Sequence, residues 1–208
     1  MIIVYLKDNT TISGNKTKAP FNAIIGYAST NVEAYSNGND IFISFQYNYL
    51  YGVFMGMKWQ CVEYARRWVF KRKGCVFDSI DQAADMWTQL DNVQRVIDKK
   101  YFPLKKYPNG SPDPPKNESL LIYKRSGVDM LSGHVSVIVD VLPGFIQVAE
   151  ENYDPYYWSG NYSRQIPYVF INESYYIEDD YPIFGWMSIE DNNQTKPLDQ
   201  ATINAIIN

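Results

Sequence analysis

Residues 134–152 constrain the fold more than any other stretch of the chain. Val135, Val137, Val139 and Val141 alternate with His134, Ser136, Ile138 and Asp140, the period-2 pattern of a strand with two distinct faces. Pro143-Gly144 marks a turn, and residues 145–152 read as the returning strand. Directly opposed residues of a hairpin share a face, so the register decides which side chains accompany the histidine. An even-sum register, with 134 opposite 152 and 136 opposite 150, puts Glu150 and Asn152 on the histidine face and Glu151 on the other. A two-residue loop pairing Leu142 with Phe145 instead opposes His134 to Tyr153. The expectation is therefore a slightly irregular or longer turn.

Cys61–Lys73 reads as a helix. Cys61, Val62, Ala65, Trp68 and Val69 fall at helical spacing as one apolar stripe, Lys71, Arg72 and Lys73 occupy the last turn, and Gly74 follows as terminator. A second helix is expected over residues 79–99, with Ser79 as its N-cap. Residues 107–117 hold four prolines and Asn109-Gly110, a loop composition, and residues 120–123 form a short apolar strand. Strand-like, tyrosine-rich segments follow from Ile166, with a short terminal helix after Pro197. Residues 1–18 look like a loosely held N-terminal arm, and residues 19–44 like short strands and loops. No repeat or linker divides the remainder, so residues 19–208 read as one domain. Helices first and strands afterwards suggest α+β.

The chain has one histidine and two cysteines. If it is a Cys-His enzyme, His134 is the base. Cysteine attacks as thiolate, and a helix N-terminus lowers the thiol pKa through its unpaired N–H groups; Cys61 stands at such a start. The same N–H groups, with the Gln60 side chain beside them, suit the oxyanion of an acyl-transfer intermediate, where one donor is worth about 2.7–4 kcal/mol. Glu150 or Asn152 would orient the imidazole. Core packing is the rival reading for a cysteine on an apolar stripe. Cys75, inside Cys-Val-Phe, reads as buried and inert. Of the adjacent Arg66 and Arg67, one is expected to face solvent and Arg66 to reach the site. Trp59 suits a groove wall and Trp68 the core. The run Glu178-Asp179-Asp180 reads as a solvated loop, with attraction for a polyamine as the alternative.

Composition narrows the function classes. A net charge of −4 disfavours nucleic-acid binding. No metal-ligand spacing and no phosphate-binding glycine loop occur. No apolar run is long enough to span a membrane, and the apolar start is too short for a secretory signal. Two cysteines make no disulfide framework, which favours a reducing, cytoplasmic setting. Asn9, Asn15, Asn117, Asn161, Asn172 and Asn193 each begin an Asn-x-Ser/Thr triplet. They would be glycan acceptors if the chain entered a secretory pathway.

Several segments also carry a resemblance: Ala19-Pro20-Phe21 with Gly26-Tyr27, residues 58–67 (Lys-Trp-Gln-Cys-Val-Glu-Tyr-Ala-Arg-Arg), residues 107–112 (Tyr-Pro-Asn-Gly-Ser-Pro), residues 132–135 (Ser-Gly-His-Val), residues 148–152 (Val-Ala-Glu-Glu-Asn) and residues 185–187 (Gly-Trp-Met). Together they resemble the amidase domain of the glutathionylspermidine synthetase/amidase and trypanothione synthetase-amidase family, a CHAP domain of the papain-like NlpC/P60 class. The resemblance implies a single papain-like α+β domain with N-terminal helices packed on an antiparallel sheet. It implies Cys61 as nucleophile, His134 as base and Glu150 as orienting acid. Gln60, Arg66, Asn152, Trp59 and Ser132 become oxyanion or substrate-binding candidates, with Arg66 on a carboxylate of the glutathionyl part. The implied reaction cleaves the amide between the glutathione glycine and a polyamine, without cofactor or metal. The implied partner is a small glutathione–polyamine conjugate, with neither nucleic acid nor membrane. The ATP-grasp synthetase domain of the bifunctional members is not expected in this chain, and the N-terminal arm is longer than the family's. Two rivals stand beside this reading: a peptidoglycan amidase or endopeptidase, and a catalytically silent module of a larger assembly.

Overall fold

A computed structural model of the chain describes residues 17–39, 41–194 and 196–207. Most of the expected N-terminal arm, 1–18, lies outside the described residues; Lys18 is bridged to Tyr156. In chain order the elements are β1 (Ile24–Tyr27), β2 (Glu33–Tyr35), β3 (Tyr47–Leu50), β4 (Val53–Met57), α1 (Cys61–Lys73), β5 (Cys75–Val76), a 3-10 turn (Ala83–Asp85), α2 (Met86–Gln89) and β6 (Asn92–Arg95). There follow β7 (Tyr101–Pro108), β8 (Ser119–Tyr123), β9 (His134–Leu142), β10 (Phe145–Ala149), β11 (Arg164–Ile171), β12 (Ser174–Ile177), β13 (Ile183–Ile189) and α3 (Gln200–Ile207). The main sheet runs β12-β11-β10-β9-β8-β13-β7-β6-β5, antiparallel throughout, and β1–β2 and β3–β4 are separate hairpins. This is a single α+β domain, with α1 on one face of the sheet.

The helix stripe explains that placement. Cys61, Ala65, Trp68 and Val69 of α1 join Val135, Val137 and Val139 of β9 in one buried cluster. Fully burying an aliphatic or aromatic side chain of this kind is worth about 1.5–3 kcal/mol. α1 stops where the sequence signals it: Gly74 takes φ 64°, and its N–H donates to the Phe70 carbonyl at 2.9 Å. The other sheet face closes around a second core that includes Leu121, Tyr123, Ile138, Ile146, Ile166 and Trp186. The sheet curls to enclose it. Gly110 N–H donates to the Tyr175 carbonyl at 2.8 Å and Tyr175 N–H to that of Ser111 at 2.7 Å, tying the end of β7 to β12.

The hairpin keeps the expected parity by another device. Leu142 does pair with Phe145, the tight two-residue turn. A β-bulge between Gln147 and Val148 then resets the register: Gln147 faces Asp140, but Val148 faces Ile138. Val139 is the extra residue, and beyond it the sum of partners is even. Glu150 therefore follows Val148 on the face of Ile138 and His134. The bulge also corrects the simple alternation. Val141, expected with Val135, Val137 and Val139, pairs with Ile146 and packs into the second core instead. The return strand ends at Ala149 rather than 152.

The helix expected over 79–99 is not formed. Those residues make the 3-10 turn, the one-turn helix α2 and strand β6. Leu90 turns extended, with φ −100° and ψ 126°, and β6 pairs with β7 and β5. Ala83, Met86, Leu90 and Val93 are all buried, so a helix-like spacing is satisfied by three different backbones whose burial, not periodicity, is shared. Only one of the expected N-terminal helices is substantial. The 107–117 loop also begins late, because Tyr107 and Pro108 finish β7. Among the described residues no helix is long and apolar enough to cross a membrane.

Candidate active site

Cys61 opens α1, and its sulfur lies against the first residues of β9. Burial alone would raise the thiol's pKa. The His134 charge, a hydrogen bond with its ring and the backbone N–H groups of Val135 and Val62 outweigh it, so the pKa falls below that of an ordinary cysteine. His134 is buried, and its Nε2 lies 2.9 Å from Glu150 Oε2. That contact leaves Nδ1 as the nitrogen for the sulfur. Desolvation pulls the imidazole pKa down, but the thiolate and Glu150 push it up to about 9. The two partners shift in opposite senses, which favours a thiolate–imidazolium pair. Gly133 sets the approach of His134: at φ +68° a Cβ there would fall 2.7 Å from the Tyr123 carbonyl oxygen and 2.7 Å from Ala84 Cβ.

Glu150 is buried and held from several sides. Ser163 donates to its Oε1 at 2.8 Å and Arg164 Nε at 2.7 Å. Burial would raise the carboxyl, but the Arg164 and His134 charges and their hydrogen bonds hold it at about 2. Arg164 extends the network outward, donating from Nη1 to Asp179 Oδ2 at 3.0 Å and from Nη2 to the Tyr123 hydroxyl at 3.1 Å. Its guanidinium lies 3.6 Å from the centroid of Tyr153, whose ring flanks His134. Asp179 is thus part of this network and not of a solvated loop. Ser163, Arg164 and Tyr123 escaped sequence reasoning. Arg164 comes to Glu150 only because β11 pairs with β10, placing Arg164 opposite Val148. No local spacing announces that pairing.

A cleft of about 270 Å³ adjoins the sulfur. Its walls include Tyr47, Phe54 and Met57 of the β3–β4 hairpin, Gln60 to Glu63 and Arg66 of α1, Phe77 to Asp81 in part, and Ser132. Gln60 and Ser132 both stand at the Cys61 end; the Ser132 carbonyl accepts from Ala84 N–H at 3.0 Å. Arg66 is half-buried. Its Nε donates to the Phe54 carbonyl at 2.9 Å, and Nη1 donates to that of Phe77. Two of its five N–H donors are thereby fixed, and the guanidinium lies between the Phe54 and Phe77 rings, at 5.9 and 5.5 Å. Burial lowers its pKa, against the pull of Asp78.

The remaining candidates sort differently. Trp59 is not in the cleft wall: it is 7% exposed, stacks on Tyr35 at 4.1 Å, and donates from its indole to Asn22 at 2.7 Å. Its apolar bulk is better satisfied beneath the surface than along a groove. Arg67 does not face solvent. It is 1% exposed and donates to Glu63 at 2.8 Å and Glu151 at 2.5 Å. Burial pushes the Glu151 carboxyl well above the ordinary range in spite of Arg67, and nearby Glu63 pushes the same way. Glu151 therefore serves this cage on the opposite side from Glu150. Asn152 donates to Gln60 Oε1 at 2.8 Å and accepts from Asn37 at 2.9 Å. Cys75 is buried, and burial pushes its thiol up to about 11. Among the described residues no group of His, Cys, Asp or Glu is placed to hold a metal ion.

A sulfur at a helix start, a buried imidazole on it and a carboxylate behind the imidazole define a class of site. The arrangement can supply an activated thiolate, a proton for a leaving group and N–H donors for an oxyanion. Residues 52–152 match the CHAP domain family, so the chain carries a CHAP domain. Over 192 residues it is 32% identical to the bifunctional glutathionylspermidine synthetase/amidase of Escherichia coli (strain K12), covering 86% of this chain and 31% of that protein. It is 34% identical over 160 residues to a trypanothione synthetase of Crithidia fasciculata, covering 76% of this chain and 24% of that one. The chain thus spans about a quarter to a third of the length of these relatives.

Proposed function

We propose that the chain is a thiol amidase that hydrolyses the amide between the glutathione glycine and a polyamine, with glutathionylspermidine as substrate. The observation that carries this is the meeting of Cys61, His134 and Glu150 at a cleft that also holds Arg66. It is supported by similarity along most of the chain to a glutathionylspermidine synthetase/amidase.

The Cys61 thiolate adds to the amide carbonyl carbon, and the electron pair moves onto oxygen. The orphan backbone N–H at the start of α1 and the Gln60 side chain receive that oxyanion. On collapse the C–N bond breaks, the His134 imidazolium protonates the amine, and spermidine leaves a glutathionyl thioester on the sulfur. Water then adds to the thioester with His134 as base, and glutathione and the thiolate–imidazolium pair are regenerated. Glu150 holds the imidazole orientation and stabilises its charged form through both half-reactions. Arg66 lies five residues beyond Cys61 on α1, about 7–8 Å along the axis. It suits a carboxylate of the glutathionyl part, through the donors that Phe54 and Phe77 do not use.

A substrate panel tests the reading. Glutathionylspermidine, its analogue without the γ-glutamyl carboxylate and a peptidoglycan stem peptide are compared by kcat/KM. The first is expected to lead by at least about tenfold, or 1.4 kcal/mol. Cleavage of the stem peptide alone would transfer the site to cell-wall chemistry, and cleavage of none would make the domain a silent module.

A further inference from the structure

We propose that Asn37, remote in sequence from every candidate site residue, is a positioning residue that fixes which end of the Gln60 amide faces the reacting carbonyl. The proposal rests on the reading of Cys61 as an acyl-transfer nucleophile and adds a determinant to it. A side-chain amide has a donor end and an acceptor end of nearly the same shape. A Gln that stabilises an oxyanion must present N–H; turned over, it presents a carbonyl oxygen and repels the developing charge. Something has to choose between the two.

The choice is made through three amides in series. Asn37 is 3% exposed, and its Nδ2 lies 2.8 Å from the Asn39 carbonyl oxygen, 2.8 Å from that of Phe42 and 2.9 Å from Asn152 Oδ1. Its Oδ1 accepts from the Trp59 backbone N–H at 3.4 Å. Three oxygens around one end and an N–H at the other leave Asn37 a single orientation. Because Asn37 donates to Asn152 Oδ1, the Nδ2 of Asn152 must point the other way, and it donates to Gln60 Oε1 at 2.8 Å. Gln60 is thereby set with Nε2 outward. One Nε2 hydrogen goes to the Phe42 carbonyl at 3.1 Å, which leaves the second for the cleft beside Cys61. Asn152 holds φ +57°, a conformation asparagine tolerates better than most residues. Asn37 also grips the Asn39 and Phe42 carbonyls, so the segment that receives Gln60 is set by the same side chain.

Asn37→Asp reverses the polarity at the head of the series. The carboxylate still accepts from Trp59 but donates to nothing. Asn152 is expected to turn its Nδ2 toward Asp, and Gln60 to turn Oε1 into the cleft. Two probes separate this from general damage. Acylation by p-nitrophenyl acetate passes through an oxyanion; alkylation by iodoacetamide is a displacement at carbon and makes none. The expected result is that Asn37→Asp slows acylation by about 10²-fold or more, the effect of one lost oxyanion donor, while alkylation of Cys61 and its pH dependence stay within about twofold. Asn37→Ala, which breaks the series without adding charge, is expected to show a smaller loss of the same kind. In a Gln60→Ala background neither change at position 37 should slow acylation further, because the residue it acts through is gone. Equal slowing of both probes, an undiminished loss in the Gln60→Ala background, or unimpaired acylation in both Asn37 variants would overturn the proposal. Failure of the substrate reading looks different: the parent protein would be acylated by the ester yet leave glutathionylspermidine intact.

Discussion

His134 has its pKa pushed up to about 9 by the Cys61 thiolate and Glu150, against the pull of burial. The sign of the resulting pH dependence follows directly. Below about 9 the imidazole is charged and can protonate a leaving amine; as pH rises through that value the proton is lost and acylation slows. The kcat/KM profile for glutathionylspermidine should therefore have its alkaline limb near pH 9. Glu150→Gln removes an anion that favours the imidazolium, so the limb should move to lower pH, toward the ordinary imidazole value of about 6.5. An alkaline limb that stays in place in Glu150→Gln would show that the carboxylate does not hold the charge on His134. The residues that could be read in advance are those announced by type or by place: a single histidine, a cysteine at a helix start, a glutamate of the right parity. Asn37 and Arg164 could not be, because each acts through contacts made across 115 and 14 positions respectively. Their residue types are common in loops and on strands.

At the scale of elements, α1 and the β9–β10 hairpin were legible because each is specified locally. One has an apolar stripe and a glycine terminator; the other has alternation around a tight turn. The 79–99 segment was not. Its buried residues satisfy helical spacing, but its backbone groups pair with β5 and β7, and sheet partners distant in sequence override local propensity. The bulge at Val139 is the feature of the hairpin with the sharpest functional consequence. It turns a register that opposes the histidine to Tyr153 into one that sets Glu150 behind it. Inserting one residue between Gln147 and Val148 gives Val139 a partner and removes the bulge, and the regular alternation then carries every side chain beyond it, His134 and Glu150 included, to the other face of the sheet. The expected outcome is loss of amidase activity of at least about 10²-fold, the lower bound for removing general acid–base work, with a reduced thermal midpoint by circular dichroism. Parental turnover in the insertion variant would show that the bulge does not set the parity of the site.

Across the whole molecule, the two cores lie on the two faces of one curled sheet, and the site sits where α1 meets the start of β9. On the other side of α1 the Arg67 cage ties the helix to β2 and to the segment that follows β10: Arg67 reaches Glu63 on its own helix, Glu151, and the backbone carbonyl of Glu33. Arg67→Met leaves these acceptors buried without their cation. Removing one partner of such a group costs about 3–5 kcal/mol, to be read from urea unfolding at neutral pH. A loss below about 1 kcal/mol, the worth of a surface pair, would mean that the cage does not brace the helix. What this bracing serves is the sulfur at the other end of α1, and hydroxylamine interception of the reaction tests that sulfur most directly. With glutathionylspermidine as substrate, a thioester on Cys61 partitions between water and hydroxylamine. Spermidine should then be released together with glutathione hydroxamate in place of part of the glutathione, and Cys61→Ala should release neither. Spermidine release without any hydroxamate, release that persists in Cys61→Ala, or no release from the parent protein would contradict the assignment of Cys61 as the nucleophile of a glutathione–polyamine amidase.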